Sequence, residues 1–367
     1  MKVNKDKLQE ACKFALACSQ RNKNFPITEM LGVEVDTTGE LALFVTDSHI
    51  CTAKVVVGRI EHSPVKVSVD ITKFCKLIPM LQSDTLDIEI DDKSITVKQG
   101  KTSSSGTYKF EVIQDENGKV IYPKGRLNDV CSEKVLSTDV HNLNAIKRSC
   151  ERALPKMNNY DAPPILSNYL LTENEVIASD SQEVIVLNEA HALTDLLIPA
   201  RIMEILCQLP VSAEEKVELN RGGDLVKVTT PNVTLVYQVL EPLSNYPKAE
   251  LLSYVDQEWP KYCKVNPDTL LNAINVVGIM SSSFDEDKLS FSFSESDITV
   301  TTTNGAAKQK VPIQEAENVA GYAFSISADT LKPTLRTKSE VELFLGCDGA
   351  IMLSHDNIYD VYALEEE

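Results

Sequence analysis

Apolar and polar residues alternate in paired runs near the end of each third of the chain. The three segments are DTLDIEIDDKSITVKQG at 84–100, EEKVELNRGGDLVKVTTP at 214–231 and SEVELFLGCDGAIMLSHD at 339–356. Each has an alternation of period two, a polar or Gly-containing turn and a second alternating run, which predicts a β-hairpin. Leu86, Val217 and Val341 match at spacings of 131 and 124 residues. The chain therefore contains a repeat.

Two helical patterns accompany each hairpin. A longer one opens each third, at 4–21, 137–155 and 266–281, and a strand running into a shorter one precedes each hairpin, at 67–81, 196–210 and 324–338. Asp70 and Ser327 are predicted N-caps, Asn266 with Pro267 predicts a third helix start, and Pro333 shortens the last helix. The predicted unit is helix, strands, helix, strands, about 120 residues long and present three times.

The repeat predicts an α+β fold of three similar domains. Segments rich in charge and turn residues, at 114–129 and 241–254, interrupt the pattern and are interpreted as linkers. We predict domains at 1–127, 128–253 and 254–367. The length of 367 residues agrees, because it exceeds what one ordinary core organises.

An acidic turn occurs at the same place in the first two copies. VTDSHI and ASDSQEV place Asp47 and Asp180 133 residues apart, and Thr302 takes this place in the third copy. Because the repeat dictates the position, we interpret both carboxylates as caps of strand-end turns. A metal-dependent nuclease that uses both is the enzymatic alternative.

The charge is unevenly distributed. The chain has a formal net charge of −18 and a pI near 4.8, which by itself argues against a nucleic-acid partner. The six predicted helices, counted over 3–23, 70–82, 137–156, 199–210, 266–281 and 327–338, nevertheless carry a net +7, leaving −25 for the rest. In the helix at 137–155, Arg148, Arg152 and Lys156 follow at i+4 and predict a basic ridge beside an apolar stripe. One such ridge is ordinarily a solvated helix face. Here, however, positive charge is concentrated on the predicted helices and negative charge lies elsewhere in the chain, which favours an anion-binding surface.

Candidate catalytic and metal chemistry is weak. Nine cysteines without a Cys-x-x-Cys pair fit buried thiols in a reducing cytosol and argue against structural zinc. Ser63 and Lys66 match Ser-x-x-Lys without its companion motifs. No apolar run is long enough to span a bilayer. We predict a soluble, cytoplasmic protein without catalytic residues, metal, cofactor or membrane association.

These segments resemble the bacterial β sliding clamp, the β subunit of DNA polymerase III, over the whole chain. The resemblance is carried by KLQEACKFALACSQ, VTDSHI, VSVDITKFCKLIP, ASDSQEV, IPARIMEILCQLP, NYPKAELL and YDVYAL. It implies a head-to-tail homodimer ring, with helices on the inner face and β-sheets on the outer face. Such a ring encircles double-stranded DNA without reading its sequence and acts as a processivity factor in DNA replication.

The resemblance also implies site residues. The DNA-binding residues it gives are Lys23, Lys73, Lys76, Arg148, Arg152, Lys156, Lys332 and Arg336. A pocket for linear peptide motifs of the DNA polymerase and of clamp-loader subunits would use Leu166, Ser179, Ser181, Gln182, Glu183, Val184, Pro247, Leu251, Leu252, Val361, Tyr362, Ala363 and Leu364. The dimer interface would join the region around 98–110 of one chain to Ile279 and Met280 of the other.

The chain departs from the family pattern at this pocket. It has SQE at 181–183 where Gly-His-Arg is common, and ALE at 363–365 where a Met-Pro-Met ending is common. Since an anion replaces a cation at the expected rim, we hypothesise a divergent member, of phage or mobile-element origin, with its own preferred peptide. An acidic protein that imitates DNA and a trimeric clamp with two repeats per chain are the alternatives.

Overall fold

The structure, a computed structural model, describes residues 1–48, 50–100, 105–156, 162–189, 192–212, 214–281, 288–337, 339–347 and 349–364. The α-helices in this part of the chain are α1 (Lys5–Cys18), α2 (Ile71–Leu77), α3 (Val140–Cys150), α4 (Ala200–Leu206), α5 (Lys248–Asp256), α6 (Pro267–Gly278) and α7 (Ala328–Leu331). None of these described helices is long and apolar enough to cross a membrane.

The strands follow the alternating runs. The first eight are β1 (Lys2–Asn4), β2 (Met30–Val35), β3 (Glu40–Thr46), β4 (Cys51–Arg59), β5 (Val65–Asp70), β6 (Thr85–Ile90), β7 (Ser94–Gln99) and β8 (Gly106–Glu111). The next eight are β9 (Glu133–Thr138), β10 (Asn168–Leu171), β11 (Glu175–Ser179), β12 (Glu183–Asn188), β13 (Leu196–Pro199), β14 (Val217–Gly222), β15 (Leu225–Thr229) and β16 (Val233–Gln238). The last are β17 (Lys261–Val265), β18 (Lys288–Phe293), β19 (Asp297–Thr302), β20 (Lys308–Pro312), β21 (Glu315–Glu317), β22 (Ala323–Ser327), β23 (Val341–Cys347), β24 (Ala350–His355) and β25 (Ile358–Ala363).

One order of elements occurs three times along the chain: strand, helix, four strands, helix, three strands. The copies run from β1 to β8, from β9 to β16 and from β17 to β25, and the third contains β21 as an additional strand. The predicted repeat of helices and strands is thus confirmed. The helix α5 lies between the second and third copies and begins inside the segment at 241–254, which the sequence pattern had indicated as a linker.

The chain forms two compact units. The first consists of Met1–Lys147 and His191–Leu243, and the second of Arg148–Ala190 and Ser244–Glu367. In the first unit the sheets have the strand orders β5-β2-β3-β4-β16-β15-β14-β9 and β1-β6-β7-β8. In the second they include the orders β10-β11-β12-β25-β24-β23-β17-β21 and β20-β19-β18-β22.

Two antiparallel strand pairs join consecutive copies of the repeat. β4 pairs with β16, with Val55 opposite Val233, and β12 pairs with β25, with Val184 opposite Val361. β4 and β12 are each the third strand after the first helix of their copy, and β16 and β25 are each the last strand. The corresponding strands β20 and β8 are sheet edges, and neither pairs with a further strand within the described residues.

Local capping explains where the helices begin. Asp70 accepts a hydrogen bond from the backbone N–H of Lys73 at 2.8 Å, and Asn266 accepts one from Thr269 at 3.0 Å. These two predicted caps are confirmed. Ser327 does occupy the N-cap position of α7, but its side chain makes no capping hydrogen bond.

The helices that open the three copies, α1, α3 and α6, end earlier than the pattern predicted, and α7 is short, as Pro333 predicted. α1 ends at Cys18, and α3 ends at Cys150, after which Glu151–Ala153 forms a 3₁₀ turn. α7 has four residues because Pro333 cannot continue it and instead precedes another 3₁₀ turn.

The helices pack through their apolar faces. α1 buries Leu8, Cys12 and Phe14 at helical spacing, and α6 buries Leu270 and Ile274 in the core of the third copy. The cysteines at positions 12, 18, 51, 75, 150 and 263 are buried thiols.

The repeated aspartates cap their turns. The Oδ1 of Asp47 accepts the backbone N–H groups three and four residues further on, both at 2.8 Å. The Oδ1 of Asp180 accepts those two and three residues further on, at 2.9 and 2.8 Å. The structural interpretation is confirmed. It argues against the nuclease alternative, because this oxygen of each carboxylate is occupied by backbone donors.

We expect Asp47→Ala to lower the free energy of unfolding by about 1–3 kcal/mol, since it leaves buried backbone donors without their acceptor. Asp180→Ala should lower the free energy of unfolding by a smaller amount, because water can replace the carboxylate in this half-buried turn. Urea unfolding of both variants measures the difference. A wild-type stability for Asp47→Ala would contradict the capping role.

Candidate functional site

A cavity of about 600 Å³ opens in the second unit, lined by residues of α5, β12 and β25. Val184 and Val361, which face each other across the two strands, contribute apolar surface, and Leu251 of α5 adds to it. Nine of the thirteen residues predicted for a peptide pocket line this cavity: Leu166, Ser179, Ser181, Gln182, Val184, Pro247, Leu251, Val361 and Ala363.

Hydrogen bonds hold the cavity wall in place. The hydroxyl of Tyr246 donates to the carbonyl of Ile177 on β11 at 3.2 Å and so anchors the start of α5. The side-chain amide of Asn168 donates to the carbonyl of Ile165 at 2.8 Å and stabilises the 3₁₀ turn that carries Leu166. The cavity is therefore built on rigid elements.

Four predicted pocket residues lie elsewhere. Glu183 and Tyr362 are opposite each other on β12 and β25, one position from the valine pair, so the period of two turns them to the other face. They line a second cavity of about 640 Å³. Leu252 follows Leu251 on α5 and is rotated away from the cavity lining, and Leu364 packs against the core of the third copy.

The sequence pattern missed seven lining residues: Pro163, Ile165, Asn245, Glu250, Tyr254, Gly349 and Ala350. Glu250 and Tyr254 had a usable signal, because they flank Leu251 at helical spacing in PKAELLSY. Because the segment at 241–254 was interpreted as a linker, the sequence pattern did not predict α5. Gly349 and Ala350 come from the end of the chain and had no local signal.

A buried group of charges lies on the reverse face of the β12–β25 pair. Arg152 donates through Nε to Glu183 at 2.9 Å and also pairs with the fully buried carboxylate of Asp360. The Nε2 of His355 lies 3.7 Å from Asp360 Oδ2. Burial raises the pKa of Glu183 to about 7, although Arg152 opposes this shift. Glu183, the anion predicted for the pocket rim, thus forms an internal ion pair with Arg152 instead.

The raised pKa of Glu183 makes stability depend on pH. The folded protein holds the proton more tightly than the unfolded chain, so this contribution to the free energy of unfolding falls as pH rises from about 4.5 to about 7. We expect wild type to lose on the order of 2 kcal/mol relative to Glu183→Gln between about pH 5 and about pH 8. Urea unfolding across that range measures it.

Asp256→Asn, at an exposed position, is the control. The free energy of unfolding of this variant should change with pH as that of the wild type does. A constant difference between wild type and Glu183→Gln at every pH would contradict the assignment.

In the first unit, the predicted DNA-binding lysines are exposed. Lys73 and Lys76 lie one turn apart on α2, and Lys23 lies in the turn after α1 instead of on the helix. Arg21, which the sequence analysis did not single out, donates to Thr72 Oγ1 on α2 at 2.9 Å. These side chains form a positive surface around α2.

In the second unit, the predicted basic ridge is wrong. α3 ends at Cys150, so Arg148, Arg152 and Lys156 do not continue one helical face. Arg148 is exposed, Arg152 is held by its two carboxylates, and Lys156 lines the second cavity.

The two basic residues predicted near α7 also lie outside the helix. Lys332 is paired with Asp329 at 2.8 Å, and Arg336 is exposed in a 3₁₀ turn. The positive charge assigned to helices was therefore too large.

The predicted dimer residues are exposed apolar side chains. Ile279 and Met280 follow the end of α6 with 80% and 54% of their surface exposed. Tyr108 on β8 is 36% exposed and belongs to the predicted partner region. Residues 101–104 of that region and Glu365 lie outside the described residues.

The chain has the fold of the bacterial DNA polymerase sliding clamps. It superposes on the sliding clamp of Pseudomonas aeruginosa with a TM-score of 0.82 at 14% identity, covering 100% of this chain and 99% of that one. The Bacillus subtilis clamp gives 0.81 at 15% identity over 100% and 98% of the chains, and the Thermotoga maritima DNA polymerase III β subunit gives 0.80 at 15% over 100% and 99%. No protein-family model and no curated protein sequence matches the chain.

Proposed function

We propose that the protein is a DNA sliding clamp: a non-catalytic processivity factor that closes round duplex DNA as a head-to-tail homodimer and tethers a DNA polymerase. One observation carries the proposal: the chain makes the same strand junction at β4–β16 and β12–β25, while the corresponding strands β20 and β8 pair with no further strand within the described residues. The full-length similarity in fold to sliding clamps supports it. The predicted domains at 1–127, 128–253 and 254–367 would make six in the ring.

The open junction specifies how copies assemble. The pairs β4–β16 and β12–β25 join the third strand after a first helix to the last strand of the next copy. By the same rule, β20 at the end of one chain pairs with β8 at the start of another. Two chains joined this way satisfy both open edges, whose backbone groups otherwise face water.

The exposed cations supply a contact with phosphates. Lys73, Lys76 and the neighbouring Arg21 form a positive surface on a chain whose net charge is −18. Contacts of this kind neutralise phosphates without reading bases, so the ring can move along any sequence. Negative charge elsewhere keeps DNA from binding outside. The DNA-mimic alternative assigns no role to this positive surface.

The cavity beside α5 supplies the tether. We infer that it binds linear peptide motifs of the DNA polymerase and of clamp-loader subunits in the cytoplasm. A clamp held on DNA by topology keeps the bound polymerase at high local concentration, so rebinding precedes escape.

Retention on DNA with blocked ends tests the proposal. A duplex is fixed to a bead by one end, the protein is threaded over the free end, and streptavidin then closes that end. We expect a salt wash to remove the protein from open-ended DNA and to leave it on blocked DNA, because salt screens phosphate contacts but does not open a ring. Equal loss from both would show that no topological link exists.

Reversing two charges tests the DNA-facing surface in the same assay. Lys73→Glu with Lys76→Glu should reduce threading and lower the slope of log affinity against log salt by about 2. The control, Lys93→Glu with Lys119→Glu, changes net charge equally at exposed turn positions and should behave as wild type.

The dimer contact is tested by mass in solution. Ile279→Asp with Met280→Asp places two charges in a predicted apolar interface, where burying each side chain contributes about 1.5–3 kcal/mol. We expect the dimer dissociation constant to rise at least about tenfold in sedimentation velocity. Val130→Asp, at another exposed apolar position, is the control. An unchanged constant for the double variant would exclude these residues from the interface.

A further inference from the structure

The cavity beside α5 is apolar apart from a few polar groups and a single charge. Glu250 is the one charged side chain among the described residues that line it, and Ser181, Gln182 and Asn245 are neutral polar neighbours. Glu183 contributes no charge here because it is directed to Arg152 on the opposite face of the strand pair. The charge that the described lining presents to a ligand is therefore negative.

An aromatic ring stands one helical turn from that carboxylate. Tyr254 follows Glu250 at i+4 on α5, so both side chains lie on the same face of the helix, and both line the cavity. Tyr254 is 42% exposed, and Glu250 is exposed as well. A carboxylate and a ring face at this spacing can hold one cationic side chain between them, through an ion pair and a cation–π contact.

We propose that Glu250 and Tyr254 form a specificity subsite for a Lys or Arg side chain of the bound peptide. The inference rests on the proposed function of the cavity as a peptide pocket. The apolar residues of the peptide enter the cavity lined by Leu166, Val184 and Leu251, and an adjacent basic residue lies against α5. Partners of this clamp then carry a basic residue beside their apolar residues, and acidic flanks are rejected.

Peptide binding measured by fluorescence polarisation tests the subsite. The probes are three fluorescein-labelled versions of a consensus clamp-binding peptide, with Arg, Gln or Glu at the positions flanking the apolar residues. We expect the Arg peptide to bind about 3- to 10-fold more tightly than the Gln peptide and the Glu peptide to bind more weakly still. The preference should shrink as salt is added.

Variants of the helix separate the two contacts. Glu250→Gln should reduce the preference for Arg over Glu to about the cation–π contribution, about 2- to 5-fold, and Tyr254→Leu should lower affinity for the Arg peptide selectively. Glu250→Lys should invert the preference. Asp256→Asn, which removes a carboxylate of the same helix away from the cavity, is the matched control.

The outcomes distinguish this inference from the proposed function. Binding of all three peptides with equal affinity would overturn the subsite and leave the pocket in place. A preference that persists unchanged in Glu250→Gln and Tyr254→Leu would place the selectivity elsewhere and also overturn it. Absence of binding by every peptide would overturn the subsite, and retention on DNA with blocked ends would then show whether the clamp function stands.

Discussion

Backbone hydrogen bonding at the edges of the sheets is the constraint on which this structure depends. A four-stranded sheet in water leaves a row of N–H and C=O groups open at each edge. The chain satisfies four such edges by extending sheets across consecutive copies of its repeat, at β4–β16 and β12–β25. The third copy has a hydrophobic core of its own, whereas one smaller cluster joins Phe44 of the first copy to Leu225 and Val236 of the second. The strand pairs determine how the copies connect.

The two faces of the β12–β25 pair lie in different environments, one apolar and one charged. Its alternating residues turn Val184 and Val361 to an apolar cavity and Glu183 and Tyr362 to the reverse face, where the buried charges lie. Burying Arg152 with two carboxylates costs solvation free energy that the pairing offsets only in part. Removing one partner would leave an uncompensated buried charge, and the pairing keeps the charge of Glu183 away from the apolar side.

The sequence predicted features that depend on local chemistry. The hairpins, the caps at Asp70 and Asn266 and the repeated acidic turns all follow from residues within a few positions of each other. The sequence did not predict features that depend on contacts between distant parts of the chain. Arg152 fitted a basic ridge by spacing, but the helix ends before it and two distant carboxylates bind it. α5 was hidden because its short amphipathic pattern lies among turn residues.

In the proposed assembly, the edge strands β8 and β20 lie in the first and third copies of the repeat, so each chain has a head and a tail that differ. Units of this kind add in one direction only. The rotation at each junction then decides whether addition stops in a closed figure or continues as a helical filament. In the proposed assembly, a substitution that alters the bend at β4–β16 or β12–β25 would change that rotation, so residues far from the contact between chains would help to set the number of subunits.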